Sequence, residues 1–222
     1  MKKVRDIKPL KPKYQRTLNR VEGNDSQGET MLSTSLTINE QLLRNVFTEC
    51  SDIVYRSIDV QSCVNLLVVY IDGLVDAKHL EETILKPLVF QGLPKNQTVT
   101  DLVGFLQKQV MPLGDTKIVY TLQDVVQNAL KGEVLFLVDG QAQVLVGSIK
   151  GWSKRSVDEP QTEQVIRGPR EGFIETLRVN TSLIRRKIRS SKLKVESYTV
   201  GRYTQTDVAI LYIEGVATDL VF

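Results

Sequence analysis

Arginine and lysine are the residues of this sequence with the most chemistry to offer. Arg167 and Arg170 lie in the run Arg167-Gly168-Pro169-Arg170-Glu171. Arg178, Arg185, Arg186, Lys187 and Arg189 follow, with Lys192 and Lys194 beyond. A guanidinium presents a planar fork of donors that grips carboxylates or phosphates in pairs. The chemistry on offer is therefore recognition of anions: acidic side chains of the same chain or of a partner, lipid headgroups, or nucleic acid. Aromatic residues that would stack on bases are missing from this stretch apart from Phe173. An interface or structural role ranks first, headgroups second and nucleic acid third.

Residues for covalent or acid–base chemistry are sparse. The one histidine, His79, sits in AKHLEETIL with no second histidine to share a metal, and the two cysteines, Cys50 and Cys63, have no zinc or disulfide spacing. No G-x-S-x-G elbow, P-loop, H-E-x-x-H or G-x-G-x-x-G is present. The expectation is a protein that is not an enzyme and has no cofactor, no metal and no catalytic residues.

Charge is segregated along the 222 residues. Positions 1–20 hold eight Lys/Arg against Asp6, and positions 150–194 hold twelve against five acids, whereas the whole chain is only +3. The remainder is thus strongly acidic, and the basic segments suit an anionic surface. The longest apolar run, Val64–Ile71, is broken by Asn65 and is far short of the ~20 residues a bilayer needs. No apolar segment of a signal peptide follows the basic start. The chain as it stands is expected to be soluble and cytoplasmic, and to be a piece of something larger.

The elements that must position these residues divide into three parts. Residues 1–36 read as a flexible basic arm. Residues 37–150 read as a first α/β subdomain. Thr37-x-x-Glu40 resembles a capping box for a helix with Ile38, Leu42, Val46 and Phe47 on one stripe. Ile53–Ile58 and Val64–Ile71 read as strands, and Asp76 caps a helix over Ala77–Leu85 that Pro87 stops. A helix through Val110, a strand at Ile118–Thr121 and a helix at Leu122–Leu130 follow. Asp139-Gly140 then turns a two-residue hairpin between Glu133–Val138 and Gln141–Ile149. A polar linker, 150–164, opens the second subdomain, 151–222. There Pro169 precedes a helix over Glu171–Ser190, with Phe173, Leu177, Asn180, Ile184 and Ile188 on its apolar stripe. Lys192–Val200 and Asp207–Ile213 read as strands, and Thr218 as the cap of a further helix, so this subdomain looks truncated. No internal repeat is evident. The fold class is α/β (α+β), two small subdomains with mixed sheets.

The stretch VIRGPREGFIETLRVNTSLIRRKIRSSKLKVESYTVGRYTQTDVAILYIEGVA resembles the A subunits of spore germinant receptors, the GerA family. VYRSIDVQ and DVVQNALKGEVLFLVDGQAQVLVGSIKGWSKRSVDEP upstream are similar to the same family, so the resemblance covers nearly all of 37–219. It implies a fold similar to substrate-binding proteins. It also implies a longer membrane subunit of the spore inner membrane, with this part on the cytoplasmic, spore-core side. B and C receptor subunits, and further A subunits, are the implied partners, in sensing nutrients and triggering germination. An anionic membrane surface and a nutrient ligand in an inter-subdomain cleft are further possible partners. The positions that match the family motif are Arg167, Gly168, Pro169, Arg170, Glu171, Phe173, Asn180, Arg185 and Arg186. The arginines and Glu171 are expected to make inter-subdomain or inter-subunit contacts.

Overall fold

Strand β2 (Val64–Ile71) is buried at every position but Asn65, which follows from an apolar run that alternates between two cores. Leu66, Val68 and Tyr70 enter one cluster and Leu67, Val69 and Ile71 the other. Around β2 stand β1 (Ile53–Val60), β3 (Thr116–Val119), β4 (Val134–Val138) and β5 (Val144–Gly147), in the sheet order β1-β2-β4-β5-β3. One face is covered by α1 (Leu36–Val46) and α5 (Leu122–Leu130), through Leu43, Phe47, Val125 and Ala129. The other is covered by α2 (Ala77–Leu80), a π-helical turn (Glu81–Leu85), α3 (Lys86–Gln91) and α4 (Val99–Val110), through Leu80, Ile84, Leu88 and Leu106. Each such side chain contributes about 1.5–3 kcal/mol on burial. A second sheet holds β6 (Leu193–Val200) and β7 (Thr206–Ile213), preceded by α6 (Leu177–Lys187). This computed structural model describes residues 29–60, 64–91, 99–110, 114–151 and 172–216, and its elements belong to one compact unit that starts at Met31. The 1–28 part of the expected arm, Cys63, the stretch 152–171 and Thr218 lie outside the described residues.

The α/β class is as expected, but the sheets are not mixed: every ladder between these strands is antiparallel. A parallel contact occurs only as an isolated bridge among the described residues, between Cys50 and Val195. Several local expectations also shift. Helix α1 starts at Leu36, so Thr37 and Glu40 lie inside it. Its start is held by Asp139, whose Oδ1 accepts from Leu36 N–H at 3.1 Å, and Glu40 instead pairs with Arg44 at 2.7 Å. Ile38 faces solvent, and the buried stripe runs through Asn39, Leu43 and Phe47. Order begins before Thr37, since Leu32 is buried and its N–H donates to Tyr120 O. Asp76 caps α2 as expected, accepting from His79 N–H at 2.9 Å. Pro87 does not stop the helix. The π turn ahead of it bonds Lys86 N–H to Glu81 O, a five-residue step, and the helix resumes with the proline in its first turn. Asp139-Gly140 turns the chain, with Gly140 at φ 83, but the ladder begins at Leu137–Val144, so the connection is longer than two residues.

Helix α6 begins at Leu177, later than Glu171, so Phe173 precedes it outside any helix or strand and is exposed. The reason is Asn180, whose Oδ1 accepts from Ile174 N–H at 2.8 Å while its Nδ2 donates to Ile174 O at 2.6 Å. This clasp holds the preceding segment against the first turn. The same clasp joins Asn39 to Ser33, at 2.9 and 2.7 Å.

That coincidence belongs to a duplication. α1-β1-β2 and α6-β6-β7 match in element lengths, eleven, eight and eight residues in each copy. Both hairpins pair over eight residues in the same register, Ile53↔Ile71 to Val60↔Val64 and Leu193↔Ile213 to Val200↔Thr206. The closing bonds repeat as well: Asp72 N–H to Asp52 O at 2.9 Å, and Glu214 N–H to Lys192 O at 2.8 Å. Two residues past the end of each second strand lies a turn glycine with positive φ, Gly73 at 82 and Gly215 at 78. The sequences follow: Ser35-Leu36-Thr37-Ile38-Asn39 beside Thr176-Leu177-Arg178-Val179-Asn180, and Val69-Tyr70-Ile71-Asp72-Gly73 beside Leu211-Tyr212-Ile213-Glu214-Gly215. The chain therefore carries an internal repeat.

Candidate interface between the two repeats

The turn between α1 and β1 receives the second copy. Strand β6 lies along it: Ser51 N–H donates to Val195 O at 2.8 Å, and Val195 N–H donates to Glu49 O at 3.0 Å. The Ser51 hydroxyl adds a bond to Val195 O at 2.7 Å. Glu49 adopts a positive φ of 59, which turns its carbonyl to this strand. The seam is thus built on main-chain pairing, which fixes its register.

At its centre Arg185 meets Asp52. Nε lies 2.7 Å from Oδ2 and Nη2 lies 2.9 Å from Oδ1, a bidentate pair with side chains only 1% and 2% exposed. Nη1 donates to Ser190 O at 3.3 Å. Burial by itself would lower the pKa of the guanidinium, but the hydrogen bonds and charge of Asp52 outweigh it, and Arg185 is held cationic. Cys50 is buried beside the pair, its thiol 3.6 Å from Leu193 O. Burial pushes the thiol pKa up, so it stays protonated and poorly nucleophilic.

Three more contacts flank the pair. Lys194 is buried, with Nζ donating to Thr48 O at 3.0 Å and lying 3.2 Å from Glu214. Arg178 pairs with Asp72 at 3.0 Å, over the turn at Gly73. A Cβ on Gly73 would lie 3.0 Å from the Ser182 Cβ, so that turn and α6 are in close contact. The Tyr212 hydroxyl lies 2.8 Å from both Glu49 Oε2 and Glu196 Oε1, and the Tyr198 hydroxyl donates to Glu196. The two tyrosine hydrogen bonds hold the Glu196 carboxyl below the usual range, and its carboxylate and that of Glu49 raise the pKa of Tyr212.

Of the residues singled out by sequence, Arg185 enters the seam, Asn180 clasps the start of its helix, and Arg186 stands half-buried in the last turn. Phe173 is exposed and joins none of this. Arg167, Gly168, Pro169, Arg170 and Glu171 lie outside the described residues. Arg178 and Lys194, named among the anion-gripping cations, also enter it; Asp52, Glu49 and Tyr212 were not anticipated. Only an acid ahead of an apolar strand marks Asp52, and nothing local links it to an arginine so far along the chain. The arrangement can orient one copy on the other; it holds no group of three or more His, Cys, Asp or Glu side chains suited to a metal among the described residues.

Comparison with known proteins gives a consistent result. The family model described as Bacillus/Clostridium GerA spore germination protein matches residues 41–221. The chain is 31% identical over 208 residues to the uncharacterized membrane protein YfkQ of Bacillus subtilis, covering 92% of this chain and 39% of that protein. It is 33% identical over 199 residues to spore germination protein KA of Bacillus subtilis, covering 89% and 36%. It therefore spans less than two-fifths of these relatives' length. The N-terminal domain of the A subunit of the Bacillus megaterium spore germinant receptor GerK3 superposes with a TM-score of 0.67 at 26% identity, over 88% of this chain and 71% of that one.

Proposed function

The chain belongs to the GerA family of spore germination proteins, and we propose that it serves in spore germination as the N-terminal part of a germinant receptor A subunit. Its role is assembly and signal transduction. The observation that carries this is the buried Asp52–Arg185 pair. A nutrient signal passing through this part of a receptor has to move or hold two similar folded bodies, and this pair fixes their mutual orientation. The wider receptor provides the partners: B and C subunits and other A subunits. The subunit resides in the spore inner membrane with this part on the core side. The basic segments suit that side of an anionic bilayer, and one relative is named a membrane protein. No helix among the described residues is long and apolar enough to cross a membrane, so spans would lie elsewhere in the subunit. The motif residues Arg167, Arg170 and Glu171 contact the neighbouring subdomain or subunit.

The test is made in spores carrying the full-length subunit. Arg185→Ala and Asp52→Ala are expected to reduce nutrient-triggered dipicolinate release severalfold. They should also lower retention of the B and C subunits in membrane extracts. Wild-type release with normal subunit levels would overturn the reading. Arg170→Ala in the same assay tests the motif contact. Calorimetry of the chain with amino acids, sugars and inositol tests the alternative, direct nutrient binding in a cleft.

A further inference from the structure

We propose that the turn from α6 into β6 is a patch that rests on anionic lipid headgroups, through Lys187, Arg189 and Lys192. The proposal deepens the reading of the chain as part of a membrane subunit, and rests on that reading for the choice of a bilayer over other anions. Residues 176–195 contain seven Lys/Arg and no Asp or Glu. The chain uses three of these cations itself: Arg178 pairs with Asp72, Arg185 with Asp52 and Lys194 with Glu214. Arg186 is half-buried. Lys187, Arg189 and Lys192 are left, exposed and without an ion pair among the described residues.

A tight turn gathers the three. Helix α6 ends at Lys187, and Leu193 N–H donates to Ser190 O at 3.2 Å as β6 begins. The turn is held from inside, because Arg185, locked on Asp52, donates through Nη1 to Ser190 O at 3.3 Å. The cations therefore stand on a fixed platform that is tied to the buried pair of the seam. A helix C-terminus favours cations, and the duplication shows how few that requires. Helix α1 has the same length, carries Arg44 as the one cation of its last turn, and runs into Glu49 and Asp52. Those two acids are taken up in the seam, by Tyr212 and Arg185. The matching turn of the second copy has the reverse charge and is open. Each exposed cation strengthens attraction to an anionic leaflet about fivefold. That is modest for a free protein and ample to orient one that is already tethered; one relative is named a membrane protein. Residues 176–195 include no aromatic on which a base could stack, which disfavours nucleic acid.

Hydrogen exchange read by mass spectrometry tests the proposal on the full-length subunit reconstituted in vesicles, of phosphatidylcholine alone or mixed with phosphatidylglycerol. Peptides over Lys187–Leu193 are expected to exchange severalfold more slowly in the phosphatidylglycerol vesicles, and high salt should abolish the difference. Val64–Ile71 should be equally protected in both and reports that the fold is intact. Lys187→Gln, Arg189→Gln and Lys192→Gln combined should exchange alike in the two vesicles. Equal exchange of the wild type in both would overturn the proposal, as would a phosphatidylglycerol effect that persists in the triple variant. The same slowing by a DNA duplex added to phosphatidylcholine vesicles would overturn it in favour of nucleic acid. Each of these failures leaves the membrane-subunit reading standing; a subunit that does not enter vesicles at all would sink that reading and the proposal with it.

Discussion

Arg44 and Arg185 occupy the same place in their repeats and do opposite work. Arg44 stays at the surface, paired with Glu40 and lying 4.1 Å over the ring of Tyr55. Arg185 is drawn inside by Asp52. The place of Asp52 in the second copy is taken by Lys192, so the pair has no mirror image and the repeats join in one sense only. Removing one partner of a buried ion pair strands a charge, and Arg185→Ala is expected to cost about 3–5 kcal/mol in urea unfolding. Joint replacement of both by apolar residues should cost distinctly less, and a double-mutant cycle reads the difference. Tyr55 makes a second prediction. Its buried hydroxyl has no hydrogen-bond partner among the described residues, and burial pushes its pKa up to about 12. An unfolded tyrosine ionises near about 10. The raised pKa therefore stabilises the fold below that pH, and the contribution is lost as pH rises through the folded value. Between about pH 9 and about pH 11 the wild type should lose more stability than Tyr55→Phe, measured by urea unfolding at both.

At the scale of elements, the asparagine clasp is the device that sets where both helices of the repeat begin. Asn39→Ala leaves the Ser33 N–H and C=O without their partner and is expected to cost about 1–3 kcal/mol, because Asn39 is buried. Asn180→Ala should cost less, since that side chain is half-exposed. In each variant, amide exchange should quicken in the segment before the helix. This device also explains what was legible beforehand. Val64–Ile71 and Leu122–Leu130 read correctly to the residue, because an apolar run or a Thr cap with a following glycine fixes both ends locally. The starts of α1 and α6 did not, because a side chain inside the helix reaching back six residues has no signature among capping motifs. Pro87 misled because a π turn accommodates it. The anion-gripping character of Arg185 was evident from its type; its partner was not, since Asp52 is far away in sequence. The duplication was hidden because its clearest marks are hydrogen bonds and register, while few residues are identical between the copies.

For the molecule as a whole, the two repeats share a plan and differ, among the described residues, in what packs against them. The first copy closes its sheet with strands that follow it within residue 147, and both faces of β2 are roofed. The second has its helix and hairpin, a main-chain seam and a buried ion pair, with an apolar strand at the rim. The order of synthesis then matters. As the nascent chain leaves the ribosome, the first repeat has everything it needs to fold and can present Asp52 and the turn around Glu49 as a finished landing place. The second repeat emerges next and docks there. The interval between the two is when the polypeptide is most prone to stick to another copy of itself. Translation speed through the codons between the repeats is therefore a variable to which the yield of folded chain should respond.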